Sequence, residues 1–319
     1  MLTMSQAANS QISSEQEREL FSAFGDRLSR SVSLARYTAA RIGGAADWLL
    51  VVNTAEQLSD AAYRLWGMDI PFMVLGGGSN ILVSDFGVRQ WVILNKARQI
   101  DFDLDQEPPM VMAESGANFG LMARQCAQRG LSGLEWAAGI PGTVGGAVFG
   151  NAGAHGFDMA DSIDMAKILH RTRQDVVQEN WHSGNLKFEY RSSELKRQPG
   201  EMVILAAQFK LQRGDPQKIQ AQMDDYSTYR RSTQPPGASM GSMFKNPVGD
   251  YAGRLIEAAG LKGTRIGGAE ISPVHANFFI NDESATASDV YELIRLAQEK
   301  VLSEFGVALE LEIELIGEW

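Results

Sequence analysis

The sequence predicts an α+β protein of three units, and three observations carry that reading. Near the N-terminus an apolar run at residues 48–52, a helical stripe and a second apolar run ending at Leu75 make a βαβ unit. From about residue 91 to 212, short strand-like runs such as "VVQENW" and "MVILAAQFKL" alternate with turn-rich segments, the pattern of a second α+β unit. Towards the C-terminus "ALELEIELI" alternates strictly, with Leu309, Leu311, Ile313 and Leu315 on one face and Glu310, Glu312 and Glu314 on the other, and period two predicts a strand. A chain of 319 residues also exceeds one typical core, so units sharing an interface are expected. The expected divisions are a flexible N-terminal segment at 1–20 and units at 21–96, 97–212 and 213–319.

Each element has a local reason. The polar opening "MLTMSQAANSQISSEQEREL" lacks the charged start and apolar middle of a signal peptide, and roughly its first dozen residues are expected to fray. Thr54 and Gln57 fit a capping box, Leu58, Ala61, Ala62 and Leu65 form the buried stripe that follows, and Gly67 stops it. A charged helix is expected from about Arg213, leading into a loop "GASMGSMFKNP" at residues 237–247. Helices at 251–259 and 288–305 then enclose a strand "NFFIN".

Composition excludes several functions. The formal charge of −10, 29 basic against 39 acidic residues, argues against bulk binding to nucleic acid or anionic membrane. A lone cysteine, Cys126, excludes an intramolecular disulfide, and its place one helical turn after Met122 reads as a core thiol. No apolar run reaches the length of a membrane helix, so the chain is expected to be cytoplasmic. Four dispersed histidines and one cysteine make no metal cluster.

Two glycine-rich stretches point to a ligand. "LGGGSN" follows a buried strand, and Gly76, Gly77 and Gly78 with Ser79 and Asn80 allow backbone N–H groups to converge on phosphate oxygens. Neither the dinucleotide-fold nor the P-loop spacing is present, and alone such a stretch reads more readily as a plain turn. The second stretch, "GLEWAAGIPGTVGGAVFGNAGAHG", spends eight glycines and one proline on 24 nearly uncharged residues. Backbone laid directly against a large, partly apolar, phosphorylated ligand explains both, through Gly139, Pro141, Gly142, Gly145, Gly146, Asn151 and Gly153.

Taken together, "IGGAADWLL", "LGGGSNILVSD", "GIPGTVGGAVFGNAGAHG", "FEYRSSELK", "GSMFKNP" and "LELEIELIG" resemble, in order and spacing, the UDP-N-acetylenolpyruvoylglucosamine reductase family, over residues 37–317. The resemblance implies two small α/β subdomains of the vanillyl-alcohol-oxidase/PCMH type gripping FAD, a C-terminal α+β domain closing over a UDP-sugar substrate, NADPH as electron source, and a monomer. It further implies that a hydride from flavin N5 reaches the terminal carbon of an enolpyruvyl ether CH2=C(OR)COO⁻. The charge then left beside the carboxylate needs a bidentate cation and a proton donor. Arg191, Ser242 and Glu312 match the family's catalytic positions.

Local readings compete with each assignment. Arg191 could pair with Glu189 or Glu194 on the surface, Ser242 could be a turn residue no different from Ser239, and the three glutamates could form a solvated face. For the substrate, Lys245 and Asn246 lie beside Ser242, and Arg230 or Arg231 is expected to hold the diphosphate or the carboxylate, with Arg265 and His275 as weaker candidates. The tyrosine-bearing insertion of one branch of the family is absent between Arg191 and Arg230, which implies the shorter-looped class. The alternatives are another FAD-dependent oxidoreductase of the same superfamily acting on alcohols or sugars, with His155 beside a flavin-type loop as a possible tether, and a sugar-nucleotide sensor without turnover.

Overall fold

The computed structural model describes residues 12–319. The first sheet has the order Leu28–Ser33, Ala45–Val52, Trp91–Asn95, Phe72–Leu75, antiparallel at the first pair and parallel thereafter. The two strands of the βαβ unit are therefore not neighbours. Trp91–Asn95 is buried at all five positions and takes the place between them, as a strand apolar on both faces must. Helix Ala55–Gly67 buries the expected stripe against this sheet. Its capping box is only half formed: Thr54 accepts from Gln57 N–H, but Gln57 Oε1 accepts from Asn53, one residue before the cap.

The flexible segment expected at 1–20 is corrected from residue 13 onward, the first eleven residues lying outside those described. Helix Ser14–Phe24 starts from a complete Ser13/Gln16 capping box, and Leu20 and Phe24 are buried in the core of the first sheet. Two apolar residues four apart supply the docking face that the polar composition hides.

The second sheet is wholly antiparallel, in the order Val176–His182, Ile163–Arg171, Met202–Lys210, Met110–Glu114, Ile100–Asp103. Helix Phe119–Gln128 packs Met122 and Cys126 into its core, and burial pushes the Cys126 thiol up to about 12, as an inert core thiol requires. Helix Pro216–Thr233, assigned from sequence to the third unit, buries Ile219 and Met223 in this second core.

The third sheet has the order Ala238–Ser242, Phe278–Asn281, Ala269–Ile271, Arg265–Ile266, covered by helices Ala252–Ala258 and Ala287–Phe305. Part of the expected loop at 237–247 is thus an edge strand. It carries a register shift between Ser239 and Ser242, with Gly241 at a φ of 79°, the kind of bulge that re-aims the next side chain. The third unit is tied to the first: Asp85 accepts hydrogen bonds from the N–H groups of Ala287 and Ser288 at the start of the long helix, at 2.8 and 2.9 Å.

The alternating C-terminal run makes less strand than its pattern predicts. Only Glu314–Ile316 pairs, in parallel with Ile81–Val83 of the first unit. Residues 309–313 have a single bridge, Leu311 to Phe244, because alternation supplies a face but not a ladder partner. No helix among the described residues is long and apolar enough to cross a membrane.

Candidate active site

A cleft of about 490 Å³ lies between the first and second units, lined by Tyr37, Thr38, Gly76, Gly77, Asn95, Lys96, Arg98, Gly116, Asn118, Gly142 and Thr143 among others. The two glycine stretches meet here. A Cβ on Gly77 would lie 3.0 Å from the Gly142 Cα, and one on Gly142, whose φ is 111°, would lie 2.7 Å from Ser79 Oγ. On Gly76 it would collide with Thr143 Oγ1, and on Gly78 with the Tyr37 carbonyl. Several of these glycines therefore let the two loops touch each other, and the backbone concavity they leave is a consequence of that contact. Gly145 is needed beside Ser115, whose Cβ would be 2.9 Å away, whereas Gly146 meets nothing closer than 3.6 Å.

The remaining loop residues divide. Ser79 Oγ donates to the Pro141 carbonyl at 3.4 Å, joining the loops, and Gly139 lies against the Arg230 side chain. Asn151, 4 % exposed, spends its side chain on Asp158, the Glu189 carbonyl and Ala160 N–H, which makes it a brace inside the protein. The Gly153 carbonyl accepts from Arg191 Nη1 at 3.3 Å. The residues present fit a flavin dinucleotide: a concavity that side chains would fill, with the cations Arg36, Lys96 and Arg98 around it for a diphosphate.

Tyr190 and Arg191 form the tip of a two-residue turn closed by reciprocal 3.0 Å hydrogen bonds between Glu189 and Ser192. Arg191 has a φ of 56°, a conformation that favours glycine and costs an ordinary residue about 1 kcal/mol or more. An arginine kept there is retained for its side chain. The surface reading of Arg191 fails, because Arg197 takes both candidate partners, Glu189 at 3.5 Å and Glu194 at 3.2 Å. Arg191 instead turns inward, its Nε 2.8 Å from Glu312 Oε1 but off the N–H axis.

Glu312 overturns the solvated-face reading of the three glutamates. Its side chain is 13 % exposed, against 76 % for Glu310. Burial raises its pKa, opposed by the charges of Arg191, Lys196 and Lys245. Its N–H donates to the Met243 carbonyl at 2.9 Å, and Lys245 N–H donates to the Glu310 carbonyl at 2.9 Å, so the Ser242 segment runs antiparallel beside it. Asn277, 3 % exposed, holds the other edge, accepting from Phe244 N–H and donating to the Phe244 carbonyl at 2.9 and 2.8 Å. The register shift lies between Ser239 and Ser242, so the two serines are not equivalent along the edge strand.

Arg230 and Arg231, adjacent in sequence, part on the helix. Arg230 lies partly buried against Gly139, where desolvation and the nearby Arg191 charge lower its pKa; Arg231 is exposed and bonded to Thr228. His155 stacks on Tyr226 with ring centroids 4.0 Å apart, and burial with the Arg230 charge lowers its pKa. Lys245 pairs with Glu310 at 3.4 Å, and Asn246 N–H faces Tyr190 Oη at 3.4 Å. The weaker candidates leave the site: Arg265 pairs with Glu270 and Asp282 on the third sheet, and His275 Nδ1 accepts from Asn277 N–H. Sequence reasoning missed Tyr37, Thr38, Lys96, Arg98 and Asn118, which sit outside both glycine stretches. Their only signal is position, next to strand ends that converge in space.

The profile described as FAD binding domain matches residues 46–172, the region that builds most of the cleft. Fold and cleft define an FAD-dependent oxidoreductase made of two flavin-gripping units and an additional C-terminal domain. That last part, residues 233–316, matches the profile described as UDP-N-acetylenolpyruvoylglucosamine reductase, C-terminal domain. The UDP-N-acetylenolpyruvoylglucosamine reductase of Rubrobacter xylanophilus is 44 % identical over 89 % of this chain and 94 % of its own. That of Bacillus velezensis is 41 % identical over 89 % and 92 %. The crystal structure of the Thermus caldophilus enzyme is 37 % identical, covers 91 % of this chain and 99 % of its own, and superimposes with a TM-score of 0.77. The chain belongs to the UDP-N-acetylenolpyruvoylglucosamine reductase family.

Proposed function

We propose that this chain reduces the enolpyruvyl ether of UDP-N-acetylglucosamine enolpyruvate to the lactyl ether of UDP-N-acetylmuramate, with NADPH as reductant. FAD bound in the cleft would supply the hydride, CH2=C(OR)COO⁻ gaining H⁻ at its terminal carbon and H⁺ at the carbon bearing the ether to give CH3–CH(OR)COO⁻. Arg191 holds the substrate carboxylate, where charge accumulates after the first addition. Glu312, whose pKa burial raises, supports that carboxylate in its protonated form, without repelling it. Ser242 delivers the proton, its alkoxide eased by the neighbouring cations. Arg230, with Lys245 and Asn246 at the rim, meets the diphosphate.

The observation that supports this reading most is the inward-turned Arg191, held in a glycine-like conformation and 2.8 Å from a carboxylate whose pKa burial raises. The same reading makes the chain a cytoplasmic monomer with small-molecule partners only, which sedimentation at the monomer mass checks. The function itself is tested by anaerobic absorbance of FAD-loaded protein. Bleaching on NADPH followed by rapid recovery on adding the enolpyruvyl substrate is expected. Bleaching without recovery would discard the substrate.

A further inference from the structure

We infer that Asn80, the last residue of the first glycine loop, is a positioning residue that aims Glu312 at Arg191, so that the flavin loop and the buried acid share one mount. The inference rests on the role proposed above for Glu312. It starts from the failure of the C-terminal strand: with residues 309–313 outside any ladder, individual bonds decide where Glu312 points. The main chain of Glu312 is held on both sides. Its N–H donates to Met243 on the Ser242 segment, and its carbonyl accepts from Asn80 Nδ2 at 3.1 Å. From that fixed backbone the side chain reaches inward to 2.8 Å from Arg191 Nε.

Register explains why a side chain does this. Glu314 pairs with Ile81, and Glu314 N–H donates to the Asn80 carbonyl at 3.0 Å. In a parallel ladder the next bond would join the Asn80 main-chain N–H to the Glu312 carbonyl. The Asn80 side-chain amide makes that bond instead, and among the described residues no acceptor takes the main-chain N–H. The amide thus takes over a bond that the main chain would make, a role that alanine or aspartate cannot reproduce, since neither donates from that position at neutral pH.

The test compares Asn80→Ala, Asn80→Asp and Glu312→Ala in the full-length protein, reading FAD affinity by fluorescence quenching, flavin bleaching by NADPH, and its recovery with the enolpyruvyl substrate. Both Asn80 variants are expected to slow recovery about tenfold to a hundredfold, while FAD affinity and the NADPH step stay within about threefold. Normal recovery in both would overturn the inference. So would normal recovery in Asn80→Asp alone, which would mean packing, or a loss of FAD affinity matching the loss of rate, which would mean a flavin ligand. If Glu312→Ala recovers normally, the role of Glu312 falls and this inference with it; if only the Asn80 variants do, the inference falls alone.

Discussion

The cleft between the first two units and the corner where Arg191 meets Glu312 beside the Ser242 segment are built on opposite principles. The cleft is backbone. Its shape follows from two loops in close contact, fixed by glycines whose Cβ atoms would collide with the facing loop, as Gly76 would with Thr143. The corner is side chain, gathered from a turn of the second unit, a bulged edge strand of the third and an irregular C-terminal run, each held by a bond or two. A backbone site tolerates changes that leave the loops in contact. A side-chain site depends on each mount, so small displacements carry large kinetic effects.

That contrast can be broken from either end. Ser242→Ala is expected to slow substrate-driven flavin reoxidation by about 10²–10⁴-fold with NADPH-driven reduction nearly unchanged, since only the second step needs the proton. Equal losses in the two steps, measured by stopped flow, would remove the corner's separate identity. Arg191→Lys keeps the charge but loses the fork and should reduce kcat/KM about 10²-fold; near-normal turnover would show that alignment there is unimportant. On the other side, Gly142→Ala forces a φ of 111° on a residue with a Cβ. It should destabilise the protein by about 1–3 kcal/mol and weaken FAD binding, yet leave turnover per bound flavin within about threefold. Calorimetry and flavin titration separate the two.

Smaller effects sharpen the boundary. Arg230→Ala should raise KM for the UDP-sugar about tenfold and Arg231→Ala less than about twofold, because only Arg230 lies against the Gly139 loop. Glu312 has a pKa raised above 4.5 in the folded protein, so its stabilising contribution is complete below the ordinary glutamate range and is lost as pH rises through the raised value. Glu312→Gln should therefore raise Tm relative to the parent at alkaline pH, with the difference shrinking in acid. A pH-independent difference would mean that Glu312 ionises freely.

Much of this was legible from the chain. The helix stripe of Leu58, Ala61, Ala62 and Leu65, the second-unit strands and both glycine stretches follow from periodicity and backbone freedom, which are local properties. Family motifs located Arg191, Ser242 and Glu312 but left each with a plausible surface role. The folded structure removed two of those roles: Arg197 takes the carboxylates that Arg191 could have used, and burial divides Glu312 from Glu310.

By itself, then, the sequence determined the helix that follows Thr54, the second-unit strands and the two glycine-rich turns, because those depend on neighbours within a few residues. Tertiary structure decided that Trp91–Asn95 sits between the two strands of the βαβ unit, that the helix at 216–233 joins the second core, and that the alternating run at 309–315 pairs over only three residues. Those outcomes depend on which partners the chain brings within reach, and a strand without a partner has no ladder however regular its alternation.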